Sequence, residues 1–281
     1  MTTDLAGKNY YVTGANTGIG KHVASELARR GARVILACRN REKADPVVDE
    51  IKRSTGNDKV ELALLDLADF ASVRAAADEF LARGIPLHGL VNNAGLVTRG
   101  MTKQGFELIF GVNHLGHYLL TRLLLDHIKK TSGARIVHVA SNSHLGAKGI
   151  DWAALRRSTA SIAGYSEYQV SKLCNVLFSE ELARRLDGTG VHTYAVNPGS
   201  VATDVWRRIP RPFVWLMKRS MLSVEEGSKS TLLVTADPAY ADETGLYYDR
   251  HGKPRPPNPL VTPALAKELW DKSAEWCGLQ A

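Results

Sequence analysis

The sequence lacks any run of about 18 consecutive apolar residues, the length that a helix needs to cross a bilayer. Its first residues also lack the apolar core of a secretory signal peptide. Cysteine is scarce: Cys38, Cys174 and Cys277 form no C-x-x-C pair, which argues against a zinc ribbon or a disulfide framework. We therefore expect a cytoplasmic protein without a membrane span.

The charge of the chain is moderately positive, with 36 Lys and Arg against 29 Asp and Glu and a formal net charge of +7. Such a balance is compatible with nucleic acid, an anionic membrane surface or an anionic cofactor as a partner. Because the basic residues are mostly spread out among acidic ones, we expect an ordinary soluble surface and no nucleic-acid partner.

Strand-like and helix-like segments alternate along the chain. Apolar runs predict strands at 9–13, 33–38, 59–65, 87–91, 135–140 and 191–196, and helical spacing predicts helices at 19–30, 42–54, 70–81, 102–130 and 168–186. This alternation is typical of βαβ crossovers. It predicts one α/β domain over residues 1–281, with a Rossmann-type, doubly wound parallel sheet of about seven strands and helices on both faces. The stretch Pro254 to Pro259 is predicted to be a surface loop.

A glycine-rich turn joins the first predicted strand to the first helix, with the sequence Thr13-Gly14-Ala15-Asn16-Thr17-Gly18-Ile19-Gly20. Gly14 permits a tight exit from the strand, Gly18 lets the backbone approach a pyrophosphate, and Gly20 allows close packing of helix on strand. The free N–H groups of the helix N-terminus favour an anion. The turn therefore predicts a dinucleotide site, although its G-x-x-x-G-x-G spacing differs from the general G-x-G-x-x-G fingerprint.

The end of the second strand indicates which dinucleotide is preferred. NAD sites usually place Asp or Glu there to bind the ribose 2′-OH, whereas this chain has Arg39 and no adjacent carboxylate. A guanidinium can bind a 2′-phosphate through several donors, so Arg39 favours NADP(H). The alternative is that Arg39 is an ordinary solvated side chain.

Tyr168 and Lys172 stand four residues apart on a predicted helix, so their side chains share one face. A phenol has a reference pKa of about 10, and a nearby ammonium is expected to lower it. Ser141 follows the fifth strand, at the edge where substrates bind in such sheets. Asn113 lies in an otherwise apolar helix, where an Asn is unfavourable unless it has a specific role. These four residues predict a catalytic acid/base with its supporting groups.

Taken in chain order, these features resemble the motifs of the short-chain dehydrogenase/reductase family. The matching segments are the glycine turn, Asn92-Asn93-Ala94-Gly95, Asn113, Ser141, the Tyr168/Lys172 pair and Asn197-Pro198-Gly199. The stretches GFELIFGVNHLGHYLLTRLLL and YQVSKLCNVLFSEELARRL resemble the retinol-dehydrogenase branch. The resemblance implies an oxidoreductase that transfers a hydride between NADP(H) and a lipophilic alcohol, aldehyde or ketone.

The resemblance also implies a role for each matching residue. Tyr168 would donate or accept the proton, Lys172 would lower its pKa and bind the nicotinamide ribose, Ser141 would polarise the substrate oxygen, and Asn113 would support a proton relay through water. Further contacts to the cofactor, beyond the turn and Arg39, are implied for Asp66, Leu67, Asn93, Ala94, Gly95, Tyr168, Lys172, Pro198, Gly199, Val201 and Thr203.

Three segments outside these motifs leave alternatives open. Residues 204–222 mix apolar and basic side chains and predict a substrate lid, a membrane-surface helix or plain packing. Phe178, with its apolar neighbours Val176 and Leu177, predicts helix packing or the seam of a homodimer. His114, His117, His138 and His144 match no common metal-ligand spacing, so we expect no metal site.

Two other function classes compete with the enzyme. A non-catalytic NADP-binding sensor or scaffold could use the same fold, but it would not need Asn113, Ser141, Tyr168 and Lys172 together. A nucleotide-sugar epimerase is disfavoured by the glycine spacing and by the lack of a large C-terminal domain.

Overall fold

Seven parallel strands form one sheet in a computed structural model that describes residues 4–201 and 221–281. The strands are β1 (Asn9–Thr13), β2 (Arg33–Cys38), β3 (Val60–Leu64), β4 (Gly89–Asn92), β5 (Arg135–Val139), β6 (His192–Val196) and β7 (Tyr247–Tyr248). Their order is β3-β2-β1-β4-β5-β6-β7, and every neighbouring pair is parallel. The predicted single-domain, doubly wound α/β fold is therefore confirmed.

Helices cover both faces of this sheet. They are α1 (Gly18–Arg29), α2 (Arg41–Thr55), α3 (Phe70–Ala82), α4 (Leu108–Phe110, a π-helical turn at Gly111–Leu115, and Gly116–Ile128), α5 (Tyr165–Arg185), α6 (Val224–Ala236) and α7 (Pro263–Cys277). None of the helices within the described ranges is long and apolar enough to span a membrane.

Alternating side chains of the strands build two hydrophobic cores. Tyr11, Ile35 and Leu90 pack with α3, α4, α5 and α7 on one face. Val12 and Leu36, one residue away along the same strands, pack with α1, α2 and α6 on the other face. Because successive side chains of a strand point to opposite faces, the continuous apolar runs of the sequence fill both cores.

Two predicted helix boundaries differ from the structure. The helix predicted at 102–130 begins only at Leu108, because Met101 pairs with Glu107 and Gly105 has a positive φ of 74° within the intervening turn. The helix predicted at 168–186 begins earlier, at Tyr165, after Gly164 with φ of 69°. Helices α6 and α7 were not predicted from the sequence, nor was the position of the seventh strand.

The order of the strands determines where a ligand can bind. The chain passes from β1 outward to β2 and β3, then returns to the other side of β1 to form β4. The connections that follow β1 and β4 therefore diverge and leave a crevice at the carboxyl ends of these strands.

Candidate active site

A cleft of ≈ 680 Å³ lies at this crevice. The residues that line it include all the predicted cofactor contacts that the structure describes, together with Ser141, Tyr168 and Lys172: Gly14, Asn16, Thr17, Gly18, Ile19, Gly20, Arg39, Asp66, Leu67, Asn93, Ala94, Gly95, Pro198, Gly199 and Val201. Asn113 lies behind the wall of the cleft and is fully buried. Thr203 lies outside the described residues.

The glycine turn has the geometry that its sequence requires. Gly14 has φ of 65° and donates its N–H to the Ala37 carbonyl at 2.8 Å. A Cβ on Gly14 would lie only 2.9 Å from Cα of Ala94. A Cβ on Gly20 would collide with the side-chain amide of Asn93. Both positions therefore require glycine, and helix α1 begins at Gly18 with its N-terminus at the cleft.

Thr13 holds the turn against the loop that follows β4. Its hydroxyl accepts hydrogen bonds from the N–H groups of Asn93 at 2.9 Å and Ala94 at 3.0 Å. The Asn93 side chain donates to the Thr13 carbonyl at 2.8 Å. Asn93 lines the cleft as predicted, and its amide also holds the two loops together. This role of Thr13 was not predicted from the sequence.

The far end of the cleft carries positive charge. Arg39 is exposed, lines the cleft and forms no ion pair with any other described residue. Lys43 lines the same end, and helix α2 begins beside it with Asn40 as its N-cap. Asp66 lies across the cleft, where its carboxylate accepts the Ala68 N–H at 3.0 Å. A guanidinium, an ammonium and a helix N-terminus together form a favourable environment for a phosphate.

At the opposite end, Lys172 and Tyr168 are close to each other. The Lys172 ammonium lies 5.5 Å from the centroid of the Tyr168 ring and donates to the Val139 carbonyl at 2.7 Å. Burial lowers the pKa of Lys172 to about 8. Burial also raises the pKa of Tyr168 to about 12, although a hydrogen bond with Ser141 acts in the opposite direction.

The expected lowering of the Tyr168 pKa by Lys172 is therefore wrong for the protein alone. The cost of burying a phenolate exceeds the stabilisation by its neighbours, and the Lys172 ammonium is hydrogen-bonded to a main-chain carbonyl. Tyr168 is consequently a neutral proton donor at physiological pH.

Ser141 lies at the end of β5 and caps the short 3₁₀ helix Asn142–Gly146. Its hydroxyl donates to Ser143 Oγ at 3.2 Å and accepts the Ser143 N–H at 3.2 Å. Ser143 Oγ in turn lies 3.4 Å from the hydroxyl of Tyr165, and the Tyr165 and Tyr168 rings are stacked with centroids 6.4 Å apart.

The main chain of Ser141 is fixed by residues that the sequence analysis did not assign to the site. The Ser141 carbonyl lies 2.7 Å from Nδ1 of His144, and Asn258 N–H donates to His144 Nε2 at 3.2 Å. The Asn258 side chain donates to the carbonyls of His144 at 2.8 Å and Ala147 at 3.0 Å. The predicted loop Pro254 to Pro259 is thus a loop, and through Asn258 it anchors the segment that contains Ser141.

Asn113 occupies the π-helical turn of α4, a feature that is frequent at functional sites. Its side chain accepts the Leu96 N–H at 2.8 Å and donates to Ser171 Oγ at 3.0 Å. Its main-chain carbonyl lies 3.0 Å from Nδ1 of His117. Asn113 therefore fixes the loop beside Lys172, and the water relay implied for it stays a prediction.

The four histidines considered as metal ligands, His114, His117, His138 and His144, are buried. Burial lowers the pKa of His114 to about 3 and that of His117 to about 4, so both are neutral. Within 4–201 and 221–281, no three His, Cys, Asp or Glu side chains are grouped so that they could hold a metal ion.

Phe178 lies inside the chain and not at a dimer seam. It is 2% exposed, and its ring contacts those of His138, Tyr118 and Trp270 at centroid distances of 4.7, 5.1 and 5.8 Å. Because Trp270 belongs to α7, the C-terminal helix covers this face of α5. A homodimer through another surface stays a prediction.

The predicted lid at 204–222 lies outside the described residues except for its last two positions. Val201, which lines the cleft, pairs in parallel with Leu222.

Residues 8–212 match the family described as short chain dehydrogenase. The chain is 42% identical to retinol dehydrogenase 11 of Homo sapiens, over 99% of this chain and 88% of that protein. It is 39% identical to retinol dehydrogenase 13 of Homo sapiens, over 99% of this chain and 86% of that protein.

Solved structures give the same result. A crystal structure of a protein from Mycobacterium Paratuberculosis superposes with a TM-score of 0.78 at 30% identity, covering 99% of this chain and 96% of that one. A 3-ketoacyl-(acyl-carrier-protein) reductase from Brucella melitensis, complexed with NADH, superposes with a TM-score of 0.68 at 26% identity, covering 87% and 97%. The chain therefore belongs to the short-chain dehydrogenase family, as an oxidoreductase that resembles the retinol dehydrogenases.

Proposed function

We propose that this chain interconverts lipophilic alcohols with the corresponding aldehydes or ketones and uses NADP(H) as its cofactor. The observation that carries the proposal is the arrangement of the cleft. A proton donor, a hydroxyl and a buried ammonium meet at one end, and at the other lies the Arg39 guanidinium, which forms no ion pair among the described residues.

The residues of the cleft fit a nicotinamide dinucleotide. The glycine turn packs too closely on Ala94 and Asn93 to admit a Cβ at Gly14 or Gly20, and the N-terminus of α1 lies at the cleft, where it favours an anion. The volume of ≈ 680 Å³ is in the range of small-molecule sites. The related reductase from Brucella melitensis holds NADH. Arg39, with Lys43 beside it, favours the 2′-phosphate that distinguishes NADP from NAD.

When bound, this cofactor supplies or accepts the hydride. Tyr168 is protonated at neutral pH, so it can deliver a proton to the oxygen of a carbonyl substrate. Ser141 can donate to the same oxygen, once its hydroxyl turns from Ser143 to the substrate. Lys172 provides positive charge next to the phenolate that remains and stabilises it.

The walls near the catalytic end include several apolar side chains. Leu96, Val97 and Val112 line the cleft there, and Val201 closes one side. Apolar walls with a few polar groups are typical of sites for lipophilic ligands. The names of the related retinol dehydrogenases support the same substrate class.

The experiment is a steady-state assay of NADPH and NADH oxidation with retinal, fatty aldehydes, steroid ketones and aromatic ketones. We expect turnover of lipophilic carbonyls, with kcat/KM at least about tenfold higher for NADPH, the difference that one charge-assisted hydrogen bond provides. Tight NADPH binding without turnover of any carbonyl would instead favour a sensor or scaffold. Preference for NADH would contradict the assignment of Arg39.

A further inference from the structure

The hydroxyl groups of Ser143 and Tyr165 lie beside Ser141 and Tyr168. Tyr165 opens helix α5, three residues before Tyr168, and its ring stacks on that of Tyr168 with an interplanar angle of 27°. It is 45% exposed and lines the cleft. An aromatic side chain so exposed at the cleft is available to contact a substrate.

Ser143 connects Tyr165 to the catalytic serine. Because Ser141 donates to Ser143, the hydrogen of the Ser143 hydroxyl is free for another acceptor. The separation of 3.4 Å between Ser143 Oγ and the Tyr165 hydroxyl is long, since O–H···O bonds are mostly about 2.7–2.8 Å. Neither group is therefore fully satisfied by the other, and both can bind an oxygen that enters the cleft.

The hydroxyl of Ser143 lies between two others, 3.2 Å from that of Ser141 and 3.4 Å from that of Tyr165. Two oxygens carried by neighbouring or alternate carbons of a substrate are spaced similarly. Suppose that the reacting oxygen of a substrate binds between Ser141 and Tyr168. A second oxygen, on the neighbouring or next carbon of the same substrate, then lies next to Ser143 and Tyr165.

We propose that Ser143 and Tyr165 form a second oxygen subsite, so that the enzyme favours dicarbonyl or hydroxyketone substrates over simple ketones. The inference rests on the proposed function, because it assumes that Ser141 and Tyr168 bind the reacting oxygen. It adds a specificity-determining pair outside the Tyr168, Lys172, Ser141 and Asn113 set.

A structural role for the pair makes a different prediction. If the Ser143–Tyr165 contact only ties the loop after β5 to the start of α5, its loss disturbs Ser141 and affects every substrate equally. The second-oxygen subsite affects only substrates that have the second oxygen.

The test compares 1-phenyl-1,2-propanedione with propiophenone, which has the same carbon skeleton and a single carbonyl. NADPH-dependent kcat/KM is measured for the wild type, Tyr165→Phe, Ser143→Ala and the double variant. We expect each single variant to lower the diketone-to-monoketone ratio by roughly 2- to 12-fold, the effect of one hydrogen bond. The double variant should lower the ratio by less than the product of the single effects, because both hydroxyls bind one oxygen.

Tyr240→Phe is the matched control, since its hydroxyl donates to the Gly252 carbonyl outside the cleft lining. Tyr240→Phe should leave the diketone-to-monoketone ratio of kcat/KM unchanged. Thermal melting of each variant tests whether it folds. Equal losses for both ketones, or an unchanged ratio in Tyr165→Phe and Ser143→Ala, would overturn the second subsite alone. Absence of turnover of all carbonyls by the wild type, including the panel above, would contradict the proposed function and this subsite with it.

Discussion

The two ends of the cleft are built in different ways. The cofactor end consists of main chain and exposed cations, with the turn from Gly14 to Gly20 contributed by one continuous segment. The catalytic end consists of side chains from the loop after β5, from α4 and from α5, among which Asn113 is fully buried and Lys172 is 3% exposed. The first end thus acts through backbone shape and long-range charge, and the second through desolvated groups whose pKa values have moved.

This difference predicts that the two ends can be damaged separately. Tyr168→Phe should lower kcat by roughly 10³-fold, because it removes the proton donor, in the range known for general acid catalysis. The dissociation constant for NADPH, measured by fluorescence titration, should rise by no more than about 12-fold, since at most one uncharged hydrogen bond to the cofactor is lost. A kcat near that of the wild type would contradict the role of Tyr168.

Arg39→Ala, at the cofactor end, should impair the use of NADPH and leave the catalytic groups intact. It should lower kcat/KM with NADPH by about 10- to 100-fold and leave kcat/KM with NADH nearly unchanged, because only the 2′-phosphate loses a charged donor. Arg41→Ala is the control, since Arg41 is exposed nearby and pairs with Asp45 at 3.6 Å. Equal losses with both cofactors would show that Arg39 does not distinguish them.

Acid should destabilise the protein through the histidines buried behind the catalytic end. Burial lowers the pKa of His114 from 6.5 to about 3. The contribution of the neutral His114 to the free energy of unfolding is therefore fully present above pH 6.5 and is lost as the pH falls from 6.5 toward about 3. At about pH 5 this one group should cost about 2 kcal/mol of unfolding free energy.

Urea unfolding at neutral pH and at about pH 5 measures this loss. His114→Gln should reduce the difference between the two conditions, and the exposed His251→Gln should not. An equal pH dependence in the wild type and His114→Gln would show that His114 titrates normally.

The smallest effect is expected from Gly14→Ala. Gly14 has φ of 65°, and a Cβ there meets Ala94, so the turn must shift and NADPH binding should weaken by about tenfold. Gly56→Ala is the control, because Gly56 has φ of 68° but open space around its Cβ position. Both variants should lose stability, and only Gly14→Ala should lose affinity, as isothermal titration would show.

The sequence predicted local features well and boundaries less well. The glycine turn and six strands follow from adjacent residues, whose periodicity and backbone freedom act over short distances. The late start of α4 depends on the pairing of Met101 with Glu107. The two-residue strand β7 is too short to carry a period, and it exists because it pairs with β6.

Among the site residues too, those with a local sequence pattern were predicted and those that depend on distant contacts were not. Tyr168 and Lys172 were recognisable from a spacing of one helical turn. Thr13, His144 and Asn258 were missed, because each acts through a partner far away in the chain, as Asn258 does on His144. A histidine or an asparagine carries no local signal for such a bond.

The sequence by itself determined the alternation of strands and helices, the glycines that the dinucleotide turn requires and the residue types available for proton transfer. These depend on steric freedom and side-chain chemistry that belong to each residue and its neighbours. Only the tertiary structure decided that burial raises the pKa of Tyr168 instead of lowering it, that α7 covers Phe178 and that Tyr165 reaches Ser143. Burial and contacts between distant segments arise only once the chain has packed.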